Sequence, residues 1–130
     1  QLIVSEGIKE QVIFTGGVPL KDTARFYQSA LMFVYPSLYE TFGLTILESM
    51  ACGCPVITSN ISAMPEIGAD GAIYFNPQDK AELTDRMEFL LKNQAEKSEL
   101  ITLGLKRSSE FTWKNTAKNT LEVYKNLMNQ

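Results

Sequence analysis

Residues 31–59 read LMFVYPSLYETFGLTILESMACGCPVITS, and the order of their apolar runs and turn residues decides the fold. Leu31 to Tyr35 is continuously apolar and stops at Pro36. A run without polar alternation suits a strand covered on both faces. Phe42 to Cys52 reads as a helix, ended by Gly53 and Pro55. Val56 to Thr58 is then another short buried strand. Strand, helix and strand in this order form a unit whose two strands lie parallel.

Working outward, Gln11 to Thr15 (QVIFT), closed by Gly16-Gly17, is expected to be an earlier strand. Leu20 to Ala30 is the helix after it, with Ala24, Phe26, Tyr27 and Ala30 as its apolar positions. Downstream, Met64 to Ala69 reads as a short helix with Ser62 as N-cap. Ala72 to Phe75 (AIYF) is the last strand, closed by Asn76-Pro77. Lys80 to about Asn93, about Glu96 to Glu110, and Trp113 to Met128 read as three helices. The last carries the stripe Trp113, Ala117, Leu121, Tyr124 and Met128 and has Thr112 as its N-cap. Trp113, on that stripe, is expected to be a core residue. The expected fold class is α/β: a parallel sheet of about four strands, helices on both faces, and extra C-terminal helices.

The chain has 130 residues, with 12 Lys+Arg against 15 Asp+Glu and a net charge of −3. Length and a 45% hydrophobic content fit one domain or a piece of one, and residues 1–130 are expected to be a single partial domain. Gln1 to Gly7 reads as the end of a helix that starts upstream, so this domain is expected to be one part of a longer protein. The weak negative charge argues against nucleic acid, which needs a basic surface. No histidine is present. That removes Ser-His-Asp and Cys-His catalysis and His-ligated zinc. Cys52 and Cys54 stand too close to staple a fold and are too few for a zinc site. They read as small buried residues. Reduced thiols and a cytoplasmic setting are expected, with no metal and no cofactor.

In an open parallel sheet, ligands sit beyond the carboxyl ends of the strands. Here those ends carry Gly16-Gly17, then Ser37 to Gly43, then Ser59-Asn60, then Asn76-Pro77. Glu40 lies in the second of these loops, and Phe42-Gly43-Leu44 leads into the helix that carries Thr45 and Glu48. Gly43 permits a close backbone approach or a positive φ. The free amides and positive dipole end of the helix form an anion site. Side chains on a helix lean toward its N-terminus, so Glu48, expected in the first turn, should face the same mouth as Glu40. Two carboxylates there would repel a phosphate directly. They suit hydroxyls on either side of it, as in a sugar nucleotide. An arbitrary glutamate pair would be a solvated helix residue and a loop charge.

Glu40 and Glu48, with seven residues between them inside SLYETFGLTILESMACGCPVITSN, resemble the paired-glutamate motif of retaining glycosyltransferases with the GT-B fold. The match is to the group 1 family, glycosyltransferase family 4. Val12 to Gly16, Met64-Pro65-Glu66-Ile67 and Phe111-Thr112-Trp113 resemble further stretches of that family, in order along nearly the whole chain. The resemblance implies a Rossmann-like fold that forms most of the nucleotide-sugar-binding half of a two-domain enzyme, with the acceptor domain lying outside this chain. It implies transfer of a sugar from a nucleoside diphosphate sugar to an acceptor hydroxyl on a sugar, lipid or polysaccharide. Such enzymes work in the cytoplasm or peripherally at the inner membrane face, in polysaccharide or glycolipid synthesis. By position, Glu48 is implied to hold the ribose hydroxyls and Glu40 to contact the donor sugar as the catalytic residue. Phe42, Gly43, Leu44 and Thr45 are implied to meet the diphosphate, with Thr41 beside them and Gly16 and Gly17 near the nucleobase.

Thr41 stands where the family usually has Gly, and Thr45 where Pro is frequent. Thr45 gives up some helix-start rigidity but offers a hydroxyl to a phosphate. No Lys or Arg occurs from Phe26 to Asp79, so a cation for the leaving diphosphate is expected from outside this chain. The chain alone is expected to be catalytically silent and to self-associate. A nucleotide-sugar epimerase of the same architecture and a non-catalytic flavodoxin-like regulatory module are the alternatives. The first is separated by its product. The second would want clustered aspartates where Thr15-Gly16-Gly17 stands.

Overall fold

The computed structural model describes residues 2–129. In chain order the helices and strands are α1 (Leu2–Ser5), α2 (Leu20–Ser29), β1 (Phe33–Tyr35), α3 (Leu44–Ala51), β2 (Val56–Ser59), α4 (Met64–Gly68), β3 (Ala72–Phe75), α5 (Lys80–Lys92), α6 (Gln94–Glu110) and α7 (Trp113–Met128). Single 3₁₀ turns occupy Lys9–Gln11 and Ala69–Gly71. The sheet runs β1-β2-β3, all parallel, with Phe33 opposite Val56 and Val56 opposite Ala72.

Every residue of β2 is buried, as expected for a central parallel strand with both faces covered. Its alternation sends neighbours into different cores. Val56 packs with Ile46, Leu47 and Met50 of α3 and with Met64 and Ile67 of α4. Ile57 packs with Phe75, Leu90 and Leu100, the last two from α5 and α6. Helices therefore lie on both faces, and the α/β class expected from the sequence is the observed one. Where α6 crosses the Ala69–Gly71 turn, a Cβ on Gly71 would sit 3.0 Å from the Gly104 Cα. Two glycines permit that approach of two backbones.

Three expectations are corrected. Residues 11–15 form no strand: the sheet has three strands, and Ile13 and Phe14 are 86% and 82% exposed. A strand exists only through a ladder partner, and none of the described residues supplies one for this segment. Ser62 does not cap α4, whose N-cap is Ala63; Ser62 sits at φ 58 and bonds the backbone of Glu40 instead. Trp113 is not in the core but 90% exposed. Helix α7 has the expected bounds, and Thr112 accepts from the Asn115 amide at 3.1 Å, but none of its residues is fully buried. No helix among the described residues is long and apolar enough to cross a membrane.

Candidate functional site

The site is built where β1 and β2 end and α3 begins. Gly43 is the N-cap of α3, at φ 88 and ψ 46, and no side chain caps the helix. The Leu44 and Thr45 amides have no acceptor among the described residues, while the Ile46 amide donates to the Gly43 carbonyl at 3.0 Å. Gly43 itself is buried against Met64. Leu44 and Thr41 are exposed, and Phe42 meets Phe111 edge-on at 5.9 Å. The Thr45 hydroxyl is buried and makes no hydrogen bond of ordinary geometry among the described residues.

Glu40 is tied into the loop before α3. Its Oε1 accepts from the Tyr35 hydroxyl and from Ser37 Oγ, the latter at 3.1 Å. Its backbone N–H donates to Ser62 Oγ at 3.1 Å, and the Ser62 hydroxyl donates back to the Glu40 carbonyl at 2.7 Å. The strand beneath reinforces this. Thr58 Oγ1 donates to the Tyr35 carbonyl at 3.0 Å and Ser59 Oγ to the Ser37 carbonyl at 2.6 Å. Sharing its proton with Glu40, and then burial, raise the Tyr35 pKa; nearby Thr45 opposes that rise. Tyr35 is thus a phenol and a donor at neutral pH.

Glu48 stands elsewhere. Because α3 starts at Leu44, its first turn holds no acid, and Glu48 opens the second turn rather than sitting in the first. It lines a cleft of about 250 Å³ between α2 and α3, with Leu20, Thr23, Ala24, Tyr27 and Cys52. Burial, and then the Glu48 charge, raise the Tyr27 pKa. On the other side of α2 a more open cleft of about 410 Å³ holds Gly17, Asp22, Arg25 and Phe26. Gly16, at φ 63, lines neither. The structure thus brings Glu40 together with Tyr35, Ser37 and Ser62, and Glu48 together with α2. The helix start lies between them in sequence.

Sequence reading missed the two serines. Ser37, three residues before Glu40 at a strand end, was legible as a local partner. Ser62, 22 residues away from Glu40, carried no local signal. Cys52 and Cys54 are free thiols, Cys54 buried and Cys52 only partly so. Burial raises the Cys54 pKa. No three His, Cys, Asp or Glu side chains among the described residues come together as metal ligands.

The sequence pattern of the family described as glycosyl transferases group 1 matches residues 1–107. This chain belongs to that family. It is 36% identical over 124 residues to the O-antigen chain mannosyltransferase B of Escherichia coli, covering 95% of this chain and 32% of that protein. It is 40% identical over 121 residues to the serotype-specific mannosyltransferase WbdA of Escherichia coli, covering 92% of this chain and 15% of that protein. Among solved structures, sucrose-phosphate synthase from Thermosynechococcus elongatus superposes with a TM-score of 0.86 at 30% identity. That match covers 98% of this chain and 33% of the synthase. This group 1 glycosyltransferase chain thus spans about a third or less of the length of these relatives.

Proposed function

We propose that this chain binds the nucleotide-sugar donor of a retaining glycosyltransferase, with the α3 amino end as its diphosphate site. One observation carries the reading: α3 begins uncapped at a left-handed Gly43, with Glu40 before it and Glu48 in its second turn. The available amides and helix dipole suit the diphosphate, and the Thr45 hydroxyl adds a donor there. Glu48, in the cleft against α2, accepts from the ribose hydroxyls. Glu40 contacts the donor sugar. Thr41, Phe42 and Leu44 supply backbone beside the diphosphate, and Gly16 and Gly17 border the nucleobase.

The remainder of the protein, by the length of the relatives, holds the acceptor and supplies a cation for the departing diphosphate. With that part absent the chain alone turns nothing over. Similarity to two mannosyltransferases supports mannose as the first sugar to test. Two unpaired thiols fit a reducing compartment, hence the cytoplasm, or its membrane face if the acceptor is lipid-linked.

The test uses the full-length protein with GDP-mannose and a panel of UDP-sugars. A glycosylated acceptor and free nucleoside diphosphate are expected; an isomerised nucleotide sugar would make the protein an epimerase. Calorimetry with the nucleoside diphosphate of the active donor then reads Glu48→Ala. A loss of about 1–3 kcal/mol is expected, the scale of a charge-assisted hydrogen bond. Unchanged affinity would remove Glu48 from the ribose.

A further inference from the structure

Glu40 does not hang free in its loop. Tyr35 and Ser37 both donate to the same oxygen, Oε1, while Oε2 has no donor among the described residues. The two donors differ in kind. Ser37 Oγ is also 3.1 Å from the Tyr39 carbonyl, so its single proton is divided between two acceptors. The Tyr35 proton has one. The Tyr35 ring is fixed from behind by stacking on Phe33, with centroids 5.7 Å apart and planes 22° from parallel. Phe33 is held in turn by the edge of Tyr27 at 5.2 Å. The backbones of Tyr35 and Ser37 are tied to β2 through the buried Thr58 and Ser59 hydroxyls. Position passes from the central strand, through Tyr35 and Ser37, to one carboxylate oxygen.

We infer that Tyr35 and Ser37 are positioning residues for Glu40: by occupying Oε1 they fix the carboxylate and leave Oε2 as the oxygen offered to the donor sugar. The inference rests on the reading above that Glu40 contacts that sugar. It assigns Tyr35 no contact with substrate. A fixed acceptor contributes most where its geometry is demanding, in the transition state, so its loss should appear in kcat before KM. A tyrosine that only stabilised the loop would change the melting temperature and leave the kinetic constants of the folded protein alone.

The experiment follows release of nucleoside diphosphate by the full-length protein, using the active donor from GDP-mannose and the UDP-sugar panel. Tyr35→Phe keeps the ring stack and removes one hydrogen bond to a charged acceptor. It should lower kcat about tenfold with the donor KM within about twofold. Ser37→Ala, losing a divided proton, should lower kcat about threefold. In a Glu40→Ala background, read under single turnover, Tyr35→Phe should add less than about a twofold loss, because the group it positions is gone. If Glu40→Ala is impaired while folded Tyr35→Phe and Ser37→Ala keep the parental kcat, the positioning role is refuted. So it is if the Tyr35 and Glu40 losses multiply. Should Tyr35→Phe fail to fold, Ser37→Ala carries the same comparison. If Glu40→Ala itself keeps full kcat, the failure belongs to the reading of Glu40 as the sugar contact.

Discussion

Gly43 is the residue at which conformation and packing both forbid a side chain. It lies at φ 88, a region that L-residues enter at a cost of about 1–2 kcal/mol. An added Cβ would also meet Met64 Cε at 2.8 Å and Ile46 Cδ1 at 3.5 Å. The Met64 tip is flexible, but Met64 and Ile46 are fully buried, so room must be made inside a packed core. Gly43→Ala should therefore lose about 1–3 kcal/mol in urea unfolding and weaken nucleoside diphosphate binding as well. Gly17 is the contrast: its φ is not left-handed and a Cβ there meets nothing within 4 Å. Gly17→Ala should stay within about 0.5 kcal/mol, and an equal loss at both glycines would contradict this account. At this scale the geometry was partly legible. Gly43 was read as permitting a close approach or a positive φ and shows both, whereas Glu48, read into the first turn of its helix, opens the second. The Ser62 latch on Glu40 was not legible, because it depends on two loops meeting after β1 and β2 have paired.

At the scale of elements, α5 shows local chemistry fixing a helix start. Asp79 Oδ1 accepts from the Ala81 and Glu82 amides, each at 3.0 Å. Glu82 Oε2 reaches back to the Asn76 amide at 2.7 Å, and Oε1 takes Arg86 at 3.0 Å. Glu82 thus ties the end of β3 to the start of α5. The Asn76 amide first, and Arg86 second, hold the Glu82 carboxyl below its ordinary 4.5. A carboxyl whose folded pKa is depressed contributes stability above its unfolded pKa. That contribution is lost as pH falls through the folded value. Stability should therefore decline on acidification below about pH 4.5, and Glu82→Gln should make that part of the decline shallower in urea titrations at several pH values. An unchanged acid slope would show the tie to be inert. Asp79→Ala should cost about 1 kcal/mol at neutral pH. The bounds of β3, α5 and α7 followed closely from apolar runs and their flanking Asn, Pro and Thr, because those elements are decided within their own sequence. Residues 11–15 read as a strand for the same reason, since QVIFT has strand composition, yet composition cannot supply a partner.

At the scale of the whole molecule, three surfaces lie uncovered among the described residues, one a sheet edge and two apolar. β1 pairs only with β2, so its outer edge offers free ladder groups. Ile13 and Phe14 stand exposed upstream of it. Helix α7 displays Trp113, Leu121, Tyr124, Leu127 and Met128, and none of its residues is buried. An amphipathic helix gains its stability mainly by burying its apolar face, and contiguous exposed apolar surface tends to find a partner. A net charge of −3 gives only modest repulsion between copies. The 130-residue chain expressed alone should therefore self-associate, its mass by light scattering rising with concentration. Two substitutions separate the helix from the sheet edge. Trp113→Ser with Met128→Ser removes the most exposed apolar side chains of α7, at 90% and 85%. Because these side chains bury almost nothing, the urea midpoint should hold to within about 0.5 kcal/mol, while the mass should shift toward the monomer. Retained association in that variant would assign the contact to β1 and residues 12–15. A parent chain that stayed monomeric at millimolar concentration would show that neither surface seeks a partner.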